Sequence, residues 1–563
     1  MRRRMLRTAL VAVVAACALA LSACAGLPTS GPVFAGLPPG AVSPPDFSYV
    51  PVKPQDGASP EQIVQGFIDA GIGPEGNWAI AQLYLAPDYR DQWKPREITT
   101  IDDRTARSYV KSGDGKVVLT VTQQATVDAD GVYKTSEGGQ TPLAFQLEKV
   151  DDQWRISQAP DGIVLGTDQF TSVFHQYPLM YFDPSWQYLV PDMRWFPASN
   201  AATRIATALV NGKPSSWLAG SVKSAFPDDV SIDPPAVPVT GSIAEVSLTR
   251  PVLSLKSQTL DRMQTQLVRS MAAAGLSGVT MEYNGSALSA QEVATRSSRI
   301  DSRALVQTDK GFGFVAGADE VEAVAGITES MTKIRPASIE LAADYSAAAV
   351  RTESGAVARV PASGDLLSLD ERQGLINPVI DRAGFIWSVP ESDPGGLVAF
   401  DPAGKRAEVN GAWTNASRVG AMAISRDGTR LAALVTVGGQ PTIEVSGVVR
   451  DDDGVPTSLG DSVTLAKLPG RGIALTWIDD STLGVLAQSG SGRVVVQQIV
   501  GGPASSISAP DDVVAIAGTT ATTVRLLGAD GTLYSERGSN WEKAGTGVRV
   551  LAQAQGIPPS TQG

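Results

Sequence analysis

From about Ser302 to Gly556 one local grammar recurs: a short apolar strand, a polar turn with Asp or Gly, then a second strand. It is clearest in Ala423-Ile424-Ser425-Arg426-Asp427-Gly428-Thr429-Arg430-Leu431-Ala432. Related units begin at Ile380, Leu475 and Leu527, and Asp344-Tyr345-Ser346 is a weaker copy. The turns return every ~40–50 residues, the length of a four-stranded blade that must bury its faces against neighbours. This spacing predicts a β-propeller of about six blades over residues 302–556.

Two further folded regions precede it. Ser59 is a good N-cap, Pro60 suits the first helical position, and Ile63, Val64, Phe67 and Ile68 form one apolar face. A second helical piece carries Trp78, Leu83 and Leu85 and stops near Pro87. Strands follow at Val117–Val127, Leu143–Leu147 and Gln153–Ile156, separated by the turns Asp128-Ala129-Asp130-Gly131 and Asp151-Asp152. Two helices followed by a sheet ending in Trp154-Arg155-Ile156 resemble the NTF2/cystatin-like α+β family, here over residues 58–170. Between 177 and 290, helices are expected at Ala201–Val210 and from Gln258 to about Ala273, with strands at Ile243–Leu248 and Val279–Tyr283. With Leu209-x-x-Gly212-x-Pro214, Phe226-Pro227 and Tyr283-Asn284-Gly285, this order resembles the GerMN domain, a small α/β binding module. Tyr181, Trp186, Tyr188, Trp195 and Phe196 gather at its start, as core and inter-domain packing or as a binding face. In the propeller region, Ser-x-Asp-Gly-x-x-Leu-Ala resembles the TolB-like repeat.

The N-terminus has the three parts of a signal peptide: Arg2, Arg3, Arg4 and Arg7, an apolar run from Thr8 to Leu21, then small residues before Cys24. The run falls short of the ~20 residues that span a bilayer, so a removed signal over 1–23 is expected. Leu21-Ser22-Ala23-Cys24 resembles the lipobox of bacterial lipoproteins. That resemblance implies a diacylglyceryl thioether on Cys24 and, after cleavage, a palmitoylated amine on the same residue. Residues 24–57 are rich in Pro and Gly and read as a tether.

Composition excludes several chemistries. The formal charge is −12, and the signal carries four Arg and no acidic residue, so the mature chain stands at −16. Such a polyanion has no electrostatic means of holding nucleic acid or anionic lipid headgroups. Of two cysteines, Cys17 leaves with the signal and Cys24 is acylated, which removes disulfides, thiolate metal sites and cysteine nucleophiles. His175 is the only histidine and has no nucleophile motif beside it. The pairs Asp102-Asp103, Asp151-Asp152, Asp228-Asp229, Asp451-Asp452-Asp453, Asp479-Asp480 and Asp511-Asp512 read as solvated turns. Asp128-x-Asp130-Gly131 lacks the distal Glu of a calcium loop, since position 139 is Gly139. No phosphate loop, nucleophile elbow or dinucleotide fingerprint occurs, so no catalytic residue, metal or cofactor is expected and the chain reads as a non-enzyme.

Lipobox, tether, α+β domain, GerMN-like domain and propeller together resemble the LpqB lipoproteins of actinobacteria. The resemblance implies a protein at the extracytoplasmic face of the cell membrane. It also implies a partner, the extracytoplasmic domain of the Mtr sensor histidine kinase, whose two-component system controls cell-wall and division genes. The competing expectations are an envelope-glycan binder or hydrolase, and a scaffold for cell-wall enzymes.

Overall fold

In the computed structural model the described residues are 51–558, apart from 137, 318–319 and 521–522. Leu21, Ser22, Ala23 and Cys24, with most of the tether, lie outside them.

The first domain opens on α1 (Pro60–Asp69) through a complete capping box. Ser59 Oγ accepts from the Gln62 amide at 3.3 Å, and Gln62 Oε1 accepts from the Ser59 amide at 2.8 Å. Its buried face of Ile63, Val64, Phe67 and Ile68 packs on a sheet. α2 (Glu75–Gln82) begins irregularly, with Gly76, Asn77 and Trp78 in the left-handed region. Trp78 is nonetheless fixed, its indole donating to the Gly71 carbonyl at 2.8 Å. The strands are β1 (Ile98–Asp102), β2 (Ser108–Lys111), β3 (Lys116–Asp128), β4 (Tyr133–Thr135), β5 (Gln140–Val150), β6 (Gln153–Gln158) and β7 (Ile163–Gly166). The central order is β6-β5-β3-β1-β7, with β1 and β7 parallel. At the β3–β4 turn Asp128 Oδ1 accepts from the amides of Asp130 and Val132, at 3.2 and 2.9 Å. That carboxylate therefore closes an Asx-turn, as Asp does in hairpins.

After α3 (Thr167–Val173) comes a long hairpin, β8 (Phe174–Phe182) and β9 (Leu189–Pro197), paired through nine residues. It serves two cores at once. Phe174, Met193 and Trp195 belong to the first domain's core, while Tyr177, Leu179, Tyr181, Phe182 and Phe196 belong to the second. The second domain adds α4 (Ala201–Val210), β10 (Val239–Thr240), β11 (Ile243–Ser247), α5 (Ser257–Met271), β12 (Gly278–Tyr283) and β13 (Ser286–Ala287). β11 and β12 run parallel with α5 as the crossover, the connection that parallel strands require. α5 buries Met263, Leu267 and Met271.

Residues 305–554 form a six-bladed propeller. The first strands of successive blades meet around the axis. The closing strand Val548–Ala554 pairs antiparallel with Leu305–Thr308 and parallel with Pro336–Leu341, so the last strand of the chain completes the first blade. Four of the repeat units occupy first-to-second-strand turns: 342–346, 381–385, 425–429 and 478–481. The Leu527 unit is out of phase. Gly528-Ala529-Asp530-Gly531-Thr532 joins the second and third strands of the sixth blade, because any antiparallel turn of this length favours Asp and Gly.

Candidate functional site: the three-domain junction

The three folded regions meet at one residue, Trp195, which is 3% exposed. It sits on β9, its amide donates to the Gly131 carbonyl of the first domain at 2.9 Å, and its indole donates to the Gly501 carbonyl of the propeller at 2.8 Å. Phe170 lies 5.0 Å from the indole and Tyr133 6.3 Å. Glycine is needed on the far side: a Cβ on Gly502 would stand 2.8 Å from the ring. A second tie joins Thr135 Oγ1 to the Leu465 carbonyl at 2.7 Å. Trp217 and Leu218, from the second domain, complete an apolar cluster with the fourth and fifth blades. Of the aromatic group at 181–196, Tyr181, Tyr188, Trp195 and Phe196 are buried and Trp186 is half-buried, with Arg262 over its ring at 3.9 Å.

Beside Trp195 is a cleft of about 730 Å³ with walls from all three regions. Its second-domain wall is hydrogen-bonded to β9. Ser215 donates to Asp192 through both its amide and its hydroxyl, each at 2.8 Å, and Arg194 pairs with the same carboxylate at 2.7 Å.

The axial mouth at the repeat turns is occupied by two arginines that the repeat pattern did not single out. Arg426 donates to the carbonyls of Trp477, Ile478, Gly518 and Thr519, bridging the fourth, fifth and sixth blades. Arg382 donates to the Arg426 carbonyl at 2.6 Å, to Tyr188 Oη at 3.0 Å, and to the Ser297 and Gln555 carbonyls. It ties two blades, the inter-domain linker, the chain's last turn and the second domain together. Ser298 adds a 2.6 Å bond to Asp480. The available signal was a basic residue beside Asp in the turn, as in Asp381-Arg382 and Arg426-Asp427.

Most Asp pairs lie in turns. Asp151 and Asp152 take positive φ at the β5–β6 hairpin, and Asp451 accepts from the amides of Asp453 and Val455. Asp102 departs from that expectation. It is fully buried and held bidentately by Arg107 at 2.8 and 2.7 Å, because it ends a core strand beside an arginine five residues on. His175 is half-buried on β8, opposite Phe196. Glu340 is a further buried carboxyl. It faces Gln555, which donates to it, and lies near Asp381, and burial pushes its pKa up to about 8.

Comparison with known proteins resolves the chain into three matches. The model of the lipoprotein LpqB N-terminal domain matches residues 53–171, and that of the LpqB β-propeller domain matches 305–552. The chain belongs to the LpqB lipoprotein family. Between them, residues 178–289 match the Germane model, described as sporulation and spore germination. Lipoprotein LpqB of Nocardia farcinica is 26% identical over 536 residues, covering 86% of each chain. That of Bifidobacterium longum is 25% identical, covering 91% of this chain and 92% of its own. Among solved structures, the β-propeller domain of Cps50 (Swd1) from Myceliophteria thermophila is 11% identical with a TM-score of 0.27, covering 37% of this chain and 70% of its own. Among the described residues no helix is long and apolar enough to cross a membrane.

Proposed function

We propose that this LpqB family member is held at the extracytoplasmic face of the cell membrane by acyl chains on Cys24. There its folded body binds the extracytoplasmic domain of a sensor histidine kinase and shifts that kinase between signalling states. The observation that carries this reading is the Trp195 junction: three regions with separate cores are pinned into one body, which suits the presentation of a fixed surface. The relatives' name, lipoprotein LpqB, supports anchoring and gives no enzymatic activity. The physical device is linkage. A partner that prefers one kinase conformation moves the equilibrium by its differential affinity, and by no more. Anchoring both proteins in one membrane raises effective concentration, so a contact of modest affinity suffices.

The anchor is tested by Cys24→Ser. Each buried methylene of an acyl chain contributes ~0.8 kcal/mol, and no other membrane-binding group is proposed. The wild-type chain is expected in the membrane fraction, and nearly all of the variant in the soluble extract. Retention of the variant on membranes would overturn the proposed attachment. The partner is tested by retention of the kinase ectodomain on the full anchored chain. No enrichment over bare membrane would sink that part.

A further inference from the structure

We propose that the cleft at the three-domain junction is a binding site for an oligosaccharide, neutral or bearing a single carboxylate. Its volume of about 730 Å³ lies within the range of small-ligand sites, ~300–1,000 Å³. Its lining sets the class of ligand. The half-buried Tyr133 and the largely buried Trp217 supply apolar wall, Ser216 and Thr464 offer hydroxyls, and Lys134 and Lys213 offer ammonium donors. Ser216, Thr464 and both lysines are exposed, so a ligand can reach them, although Lys134 is already paired with Asp128. An apolar ligand would strip water from these groups without replacing their hydrogen bonds, a cost of ~1–3 kcal/mol for each. A ligand with many hydroxyls and apolar ring faces returns both kinds of contact.

Charge narrows the choice further. The whole chain is at −12, yet the lining holds three cations, Lys134, Lys213 and Arg194, against Asp130 and Asp192. Arg194 and Asp192 neutralise each other at 2.7 Å, and Lys134 is shared with Asp128 at 3.1 Å. What remains is close to neutral and includes an uncommitted lysine, which disfavours a polycation and leaves room for one carboxylate. The wall is also prearranged. The loop carrying Lys213 and Ser216 is held by the Ser215–Asp192 bonds and by Arg194 donating to the Lys213 carbonyl at 3.2 Å. A wall ordered before binding reduces the entropy lost on association. Because the walls come from three regions, an occupant would bear directly on the junction around Trp195. The inference stands independently of the kinase reading.

The test uses the full anchored chain in nanodiscs, titrated with chitotetraose, mannotetraose, arabinotetraose and the singly carboxylated aldotetraouronic acid, by calorimetry and saturation-transfer NMR. At least one is expected to bind saturably and to alter tryptophan emission. Lys213→Ala and Thr464→Trp, the second filling the cleft from an exposed position, should each weaken that binding by about tenfold or more. Lys543→Ala, on the outer strand of the sixth blade, should leave it unchanged. Thermal midpoints of all three variants are measured alongside, so that loss of binding is separated from loss of fold. Absence of saturable binding by all four sugars would overturn the inference, as would binding that both cleft variants leave intact.

Discussion

Trp195→Ala should destabilise the protein by about 4 kcal/mol and split its unfolding into two transitions. The indole is 3% exposed and packed against Phe170 and Tyr133, so truncation leaves a cavity at the meeting point of two cores and the propeller. Removing a buried Trp costs ~3–5 kcal/mol in such settings. The lost indole donor also leaves the Gly501 carbonyl without that partner. The two N-terminal cores and the propeller would then stay joined through Thr135–Leu465, the Trp217 cluster and the Arg382–Tyr188 bond, ties weak enough for the two parts to melt independently. Urea unfolding followed by both circular dichroism and tryptophan fluorescence reads the outcome. Coincident single transitions in the wild type should separate in the variant. Trp195→Phe retains most of the ring packing but not the donor, and should cost less, about 1–2 kcal/mol. If the alanine variant still melts as one unit with a change below about 1 kcal/mol, Trp195 does not couple the domains.

Glu340→Gln is expected to stabilise the protein at alkaline pH and to change little near pH 5. Burial is the largest cause of the raised carboxyl pKa, and the nearby Asp381 adds to it. The hydrogen bonds from Gln555 and the Ile380 amide oppose the shift only in part. The sign follows from linkage. The folded chain holds this proton up to about pH 8, whereas the unfolded chain releases it near 4.5, the ordinary value for a glutamate. Glu340 therefore contributes its full stability below pH 4.5, and that contribution is lost as pH rises toward 8. Each pH unit across that window costs at most ~1.4 kcal/mol, so the total is on the order of 3–5 kcal/mol. The glutamine variant carries no titrating proton there. Its unfolding free energy between pH 5 and pH 9 should fall less than that of the wild type by about this amount. Parallel curves for the two proteins would show that folding leaves the Glu340 carboxyl near its ordinary pKa.

Local structure was legible in the sequence wherever local chemistry decides it. The Ser59 cap, the Ala201–Val210 helix and the Asx-turn at Asp128 all rest on contacts within a few residues. The propeller was legible because its blades repeat the same short-range pattern. The β8–β9 hairpin was missed for a physical reason: Pro178 and Pro191 lie within it, and proline ordinarily argues against a strand. The amides of Met180, Phe182 and Trp195 point away from the partner strand, to Ser270, Lys223 and Gly131, and Pro178 and Pro191 share that alternation, so the ladder between the two strands loses no bond. The junction was illegible because its bonds are long-range. Trp195 reaches Gly501 across 306 positions, and Thr135 reaches Leu465 across 330. The same holds for Glu340 and Gln555, 215 positions apart, whose burial depends on the chain's last strand returning to its first blade.

The central claim, a lipid-held body that engages a sensor kinase, is met most directly by reconstituting the acylated chain and the full-length kinase in the same vesicles and following kinase autophosphorylation. The account predicts that the wild-type chain changes the rate, and that Cys24→Ser at equal concentration changes it far less, because co-localisation is lost. Equal rates with and without the wild-type chain would contradict it.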